Sequence, residues 1–164
     1  MLCGAVHAIR NRLPGGIEYK SLRKSLALYK DGKSDSFYKA QFLHNLKAYF
    51  LPSHRYSSMD YERSSKSVPA VLYHVTDAEN KRSILKNGLV GGHNPVVFMT
   101  SSESYVNFLK SKYQQHGCTV FKIEAEKMEN DGYAFFNSIQ KERTVIWVTE
   151  FVPPEYIKEV DSEG

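Results

Sequence analysis

The chain has 164 residues, of which 41% are hydrophobic and 13% aromatic, and this excludes a wholly disordered protein. Its apolar runs are too short to cross a membrane and no charged-then-apolar leader opens it, so we expect a cytoplasmic protein. The net charge of +4 is small, and its two cysteines, Cys3 and Cys118, indicate neither a disulfide framework nor a metal site.

The charge is unevenly distributed along the chain. Residues 1–69 contain 12 Lys and Arg against 5 Asp and Glu, a net charge of +7. Residues 70–164 contain 10 against 13, a net charge of −3. This asymmetry predicts that the first part contacts an anionic partner such as nucleic acid, and a solvated basic helix face is the alternative.

Residues 1–69 are predicted to form a basic, mainly helical lobe. Apolar side chains at near-helical spacing over 17–31 predict one helix. A second apolar stripe over 34–52, opened by capping residues and closed by a proline, predicts another. Residues 53–69 are rich in Ser, Arg and Tyr, so we place the boundary between two lobes at their end.

Residues 70–164 predict a lobe in which strands and helices alternate. The strands are expected at 71–74, 96–99, 120–123, 135–136 and 144–148, and the helices after Asp77, after Ser101 or Ser102, and at 124–130. Because strands and helices are mixed and no unit repeats, the fold class is α+β.

The most informative stretch is Leu72-Tyr73-His74-Val75-Thr76, an apolar strand that ends in His-x-Thr. Side chains two residues apart on a strand lie on the same face, so the imidazole of His74 and the hydroxyl of Thr76 would point into one cleft. A lone histidine is more often a core residue, but its place in this pattern favours contact with a ligand.

Five segments in this order resemble the C-terminal half of the RNA 2′-phosphotransferases (KptA-like), members of the ADP-ribosyltransferase superfamily. They are Leu72–Thr76, Ser83–Leu89, Val96–Thr100, Gln115–Gly117 leading into residues 120–136, and Val145–Thr149 followed by Val152–Ile157.

The resemblance implies a split antiparallel β-sheet with inserted helices, whose cleft binds NAD as a co-substrate without any metal. It also implies that a winged-helix lobe precedes the sheet. His74 and Thr76 would lie at the ribose next to nicotinamide. The other residues expected to bind NAD are Tyr73, Phe98, Thr100, Ser101 and Tyr105.

The resemblance is weaker at the positions that hold the RNA phosphate. Arg10 matches an expected arginine, but Asn11 replaces the histidine that follows it. Gln115 stands where an arginine would precede His116-Gly117, and Phe98 stands where many members have histidine. The phosphate and acceptor candidates are therefore Arg10, Arg55, Gln115, His116 and Arg143.

These departures favour a different acceptor, because a neutral amide such as Gln115 cannot offset a phosphate dianion. The sequence prediction is an NAD-dependent ADP-ribosyltransferase that modifies a protein or a nucleic acid and releases nicotinamide. Such small transferases often serve as bacterial toxins or effectors, which act in the cytoplasm or after delivery into a target cell's cytosol. His74 and Glu142 are the catalytic candidates, and Glu142 is favoured over Glu150 at the other end of the same strand.

Two alternatives stay open at this point. One is an RNA 2′-phosphotransferase with a rearranged phosphate site, which removes a 2′-phosphate from RNA with NAD. The other is a catalytically silent module that binds NAD-like ligands or RNA.

Overall fold

A computed structural model describes the chain in seven stretches. They are residues 17–30, 36–50, 61–64, 66–91, 96–113, 117–138 and 145–160. The chain divides into two compact units, Met1–Asp60 and Tyr61–Gly164. The lobes predicted from the sequence, 1–69 and 70–164, stay a prediction, because compactness alone does not show that either one folds independently.

The described residues of the first unit form two helices that pack against each other, α1 (Ile17–Lys30) and α2 (Ser36–Phe50). Leu22 and Phe42 are buried at their contact. The amide of Asn45 donates a 3.2 Å hydrogen bond to the hydroxyl of Ser25 inside the same contact. Both helices follow the apolar spacing that predicted them, because burying one stripe is what stabilises a short helix.

The second unit is built on a seven-stranded antiparallel sheet in the order β1-β6-β7-β4-β2-β5-β9, with a separate pair of short strands, β3 and β8. The strands are β1 (Tyr61–Arg63), β2 (Leu72–Asp77), β3 (Leu89–Val90), β4 (Val97–Thr100), β5 (Cys118–Ile123), β6 (Phe136–Ser138), β7 (Ile146–Thr149), β8 (Phe151–Val152) and β9 (Ile157–Glu159). The predicted α+β class with an antiparallel sheet is confirmed.

Among the described residues, three helices and two 3₁₀ turns connect these strands. They are a first 3₁₀ turn (Ala78–Asn80), α3 (Lys81–Asn87), α4 (Glu103–Lys112), α5 (Ala125–Asn130) and a second 3₁₀ turn (Pro154–Tyr156). Ser102 caps α4 as expected, since its hydroxyl accepts a hydrogen bond from the backbone N–H of Tyr105. The buried residue of α4 is Val106, whereas Phe108 is 52% exposed.

Strand β2 lies inside the sheet and runs further than the sequence suggested. It pairs with β5 along its whole length, from Leu72 opposite Ile123 to Asp77 opposite Cys118. Thr76 therefore lies within the strand, because its partner Thr119 continues the ladder past the end of the apolar run.

The two faces of β2 carry different residues, because strand side chains alternate. Leu72, His74 and Thr76 share one face, and Leu72 and Phe121 there belong to the main buried cluster of the unit. Tyr73 is paired with Thr100 of β4, and both side chains lie on the opposite face. The side chains of His74 and Thr76 therefore lie on the opposite face of the sheet from those of Tyr73 and Thr100.

Within the described stretches no helix is both long and apolar enough to span a membrane. The same stretches contain no group of three or more His, Cys, Asp and Glu side chains arranged to hold a metal ion.

Candidate functional site

A pocket of about 510 Å³ opens at the carboxyl end of β2. It lies between β2, the turn into α3, the loop around β3, and the start of β4. Its lining residues are His74, Thr76, Asn80, Ser83, Ile84, Gly88, Leu89, Val90, Gly91, Val96, Val97 and Phe98. The pocket thus combines a polar edge, which begins at the His-x-Thr pair, with walls of aliphatic side chains.

His74 has a defined protonation geometry in this pocket. Its Nδ1 atom lies 2.7 Å from the carbonyl oxygen of Phe98. Because a carbonyl can only accept, Nδ1 carries a proton, and Nε2 of the neutral ring is a hydrogen-bond acceptor. Burial of the ring lowers the pKa of His74 below 6.5, and the bond to Phe98 offsets part of that shift. His74 is therefore neutral near pH 7 and offers an acceptor.

Thr76 is held by the turn that follows the strand. The side-chain amide of Asn80 donates a 3.1 Å hydrogen bond to the hydroxyl oxygen of Thr76. Both residues line the pocket, so this pair forms part of its polar edge. The first 3₁₀ turn makes the contact, because it brings the residue four positions after Thr76 back over the end of the strand.

Gly88 shapes the opposite wall. It ends α3 with φ +87° and ψ −179°, a conformation that side chains other than glycine rarely adopt. A β-carbon at this position would overlap the carbonyl oxygen of Val152 in β8 and approach the ring of Phe151 to 3.0 Å. Glycine therefore allows the chain to pass close to β8 at this wall of the pocket.

The other described candidates from the sequence lie in several places. Phe98 lines the pocket and its carbonyl orients His74, whereas its ring, two residues before Thr100 on β4, lies on the opposite face of the sheet and contacts Tyr61. Tyr73 and Thr100 lie on the other face of the sheet, and the Thr100 hydroxyl accepts a bond from the backbone N–H of Ser102. Ser101 is exposed, and the ring of Tyr105 contacts Phe108 on α4. The contacts of Tyr73, Phe98, Thr100, Ser101 and Tyr105 with a cofactor stay predictions.

Of the remaining candidates, the described part of the chain contains Glu150 alone. Glu150 is described, and it follows β7 as an exposed residue. Arg10, Arg55, Gln115, His116, Glu142 and Arg143 lie outside the described residues. Their roles stay predictions.

Asn80 and Ser83 are pocket residues that sequence reasoning did not identify. They lie three residues apart in the helical segment that follows Asp77, which places both on one face of it. That spacing was a usable signal. It was missed because the residues after Asp77 were interpreted as a packing helix with only its apolar side chains facing inward.

Comparisons with known proteins agree with the resemblance seen in the sequence. The chain is 35% identical over 95 residues to a probable RNA 2′-phosphotransferase of Acaryochloris marina, covering 57% of this chain and 48% of that protein. It is 25% identical over 108 residues to one of Pseudomonas fluorescens, covering 66% and 56%. A probable RNA 2′-phosphotransferase 2 of Archaeoglobus fulgidus is 29% identical over 91 residues, covering 56% and 39%.

The chain is a divergent relative of the RNA 2′-phosphotransferases. It spans about half the length of the curated relatives it matches. No protein-family model matches it.

These names contradict the main function predicted from the sequence. ADP-ribose transfer to a protein or nucleic-acid acceptor, and with it a toxin or effector role, is wrong, because the matched relatives are named as RNA 2′-phosphotransferases. The error lay in treating the amide of Gln115 as evidence that a whole phosphate site was lost. One missing cation weakens a site by a few kcal/mol but does not define the acceptor.

Proposed function

We propose that this chain carries the NAD-binding lobe of an enzyme that removes a 2′-phosphate from RNA with NAD as co-substrate. The observation that carries the proposal is the pocket at the end of β2, in which the neutral ring of His74 lies beside the Thr76 hydroxyl. The names of the matched relatives support the same reaction class. The proposal includes an ADP-ribosyltransferase-like split of the sheet around this pocket.

The polar edge of the pocket is suited to a ribose. Nε2 of His74 accepts a hydrogen bond and the Thr76 hydroxyl can donate one. A sugar hydroxyl both donates and accepts, so one hydroxyl, or two on neighbouring carbons, can satisfy both groups. A carboxylate or a bare phosphate offers no proton to His74 and would leave its acceptor unmatched, which costs binding energy.

The aliphatic walls have a second role in this proposal. Ile84, Leu89 and Val97 are buried next to the polar edge. They reduce the water around a bound ribose, which strengthens each hydrogen bond to it and protects the reacting carbon from hydrolysis.

Bound NAD would supply a ribose carbon from which nicotinamide departs as an oxygen of the RNA phosphate takes its place. A neighbouring hydroxyl of that ribose would then displace the RNA oxygen at phosphorus, so that the phosphate leaves with the ADP-ribose. The chain's own residues orient the ribose through His74 and Thr76. The proposed phosphate and acceptor contacts are Arg10, Arg55, Gln115, His116 and Arg143, and Glu142 is proposed to stabilise positive charge on the ribose. The basic first unit is proposed to contact the RNA.

The test uses a short RNA with a single internal 2′-phosphate, incubated with the full chain and NAD. We expect release of nicotinamide together with loss of the RNA phosphate. His74→Ala should lower kcat/KM at least about 100-fold, which corresponds to ~2.7 kcal/mol of transition-state stabilisation. Asn107→Ala, an exposed change on α4, should leave it unchanged.

Absence of phosphate loss with the wild-type chain would overturn the proposed function. NAD binding without phosphate loss would instead support the silent module. Circular dichroism of each variant separates a loss of chemistry from a loss of fold.

A further inference from the structure

We propose that Asn80 is a positioning residue that directs the proton of the Thr76 hydroxyl towards the ligand. This inference rests on the proposed function and deepens it, because it explains how the pocket presents one donor and one acceptor to a ribose. Asn80 would act through Thr76, and the ligand would be recognised by Thr76 and His74.

The side chain of Asn80 binds Thr76 and does not cap helix α3. Asn80 occupies the N-cap position of α3, where asparagine usually accepts a hydrogen bond from the helix backbone. Here it makes no capping bond. Its backbone is helical, with φ −77° and ψ −13°, because the first 3₁₀ turn leads directly into α3, and capping requires an extended residue. The amide turns back to Thr76 instead.

The direction of that bond decides where the hydroxyl proton can go. An amide nitrogen can only donate, so the bond from Asn80 occupies a lone pair of the Thr76 oxygen. In the part of the chain that the structure describes, Thr76 has no acceptor for its own proton. The proton is therefore available to the pocket, which both residues line.

The polar edge of the pocket therefore suits a ligand that carries hydroxyl groups. His74 presents an acceptor because its own proton is held by the Phe98 carbonyl. Thr76 presents its proton because Asn80 donates to its oxygen and so cannot accept that proton. Each group has one role fixed by a protein partner, so the ligand does not have to pay for reorienting either of them.

Asn80→Asp is the sharpest test, because it changes the direction of one hydrogen bond and keeps the size of the side chain. Because Asn80 makes no capping bond, the substitution removes none, and an acidic side chain is favourable at a helix N-terminus, so the stability of α3 should be retained. A carboxylate accepts, however, and would draw the Thr76 proton away from the pocket. We expect Kd and KM for NAD to rise about tenfold, equivalent to ~1.4 kcal/mol, with a smaller change in kcat.

A double-mutant cycle with Thr76→Val separates positioning from a direct effect of the new charge. If Asn80 acts through Thr76, Asn80→Asp should change Kd by less than about twofold once the hydroxyl is gone. An equal tenfold loss in both backgrounds would overturn the proposal. Thr76→Ser keeps the hydroxyl and should restore most of the affinity that Thr76→Val loses. Asn107→Asp adds the same charge on exposed α4 and should leave Kd unchanged.

The outcomes distinguish this inference from the proposed function. A wild-type chain that binds no NAD in calorimetry overturns both. A wild-type chain that binds NAD and removes the RNA phosphate, with Asn80→Asp at wild-type Kd and KM, overturns the positioning role alone. Asn80→Asp with reduced affinity but unchanged thermal stability supports it.

Discussion

The side chains at the two ends of strand β2 point to the same face of the sheet but differ in burial and polarity. At the amino end Leu72 is fully buried opposite Ile123, which is also fully buried. At the carboxyl end His74 and Thr76 are half-buried and line the pocket. One strand therefore joins the core to the site, and the rigidity of the first end holds the polar groups of the second.

This difference teaches that the effect of a substitution depends on which end it touches. Changes at the closed end, which is the buried amino end at Leu72, should lower the stability of the second unit. Changes at the open end, which is the carboxyl end at His74 and Thr76, should alter ligand recognition and leave the fold intact. The three predictions below test that division.

The largest effect is expected at the closed end. Leu72→Ala removes a fully buried side chain and should lower the free energy of unfolding by about 3 kcal/mol, because it leaves a cavity in the main cluster. Leu85→Ala is the matched control, since Leu85 lies on α3 with 41% exposure and should cost less than ~1 kcal/mol. Chemical denaturation measures both. Equal costs for the two variants would contradict the division.

Gly88 is the exception that sharpens the comparison, because it lines the pocket and yet should act on stability. Gly88→Ala combines a strained backbone with a clash against Val152, and should lower the free energy of unfolding by about 2 kcal/mol. Gly132→Ala is its control, since Gly132 has φ +100° and no atom within 4 Å of an added β-carbon. The difference between the two variants in denaturant measures the clash alone. No difference would show that β8 can move away.

The smallest effect is the pH dependence at the open end. The pKa of His74 is lowered in the folded chain by burial, so below pH 6.5 the unfolded chain takes up the proton first. The free energy of unfolding should fall as the pH decreases from 6.5 towards the folded pKa, and His74→Gln should remove that contribution.

NAD affinity gives a second measure of the same protonation. It should persist somewhat below pH 6.5, because the folded ring stays neutral there. Denaturation and NAD titration across the range from about pH 5 to pH 8 check both expectations. An affinity that is lost already at the ordinary histidine pKa would mean that the pocket does not shield the ring.

Much of the local structure could be predicted from the sequence. Apolar spacing located both helices of the first unit, and the Ser102 cap followed from residue type. Gly88 ends α3 with a positive φ, but its ψ of −179° continues directly into β3 instead of closing a left-handed turn. The ψ angle of Gly88 follows from the close approach of β8, which a local sequence pattern does not specify.

Pairing between distant strands could not be predicted in the same way. The resemblance grouped Tyr73, Phe98 and Thr100 with His74 around one ligand. The register of β2 against β4 puts Tyr73 and Thr100 on the opposite face of the sheet. A shift of one residue would have reversed this, and register is set by pairing across the sheet.

The α+β class and the resemblance to RNA 2′-phosphotransferases could be inferred from the sequence alone. The sequence also showed an imidazole and a hydroxyl two residues apart, at His74 and Thr76. Only the tertiary structure decided which atoms they present. The Phe98 carbonyl comes from a neighbouring strand and fixes the His74 tautomer, while a 3₁₀ turn returns Asn80 to Thr76. The physical reason is that a side chain's type limits the hydrogen bonds it can make, and its packed neighbours determine which of them are left for a ligand.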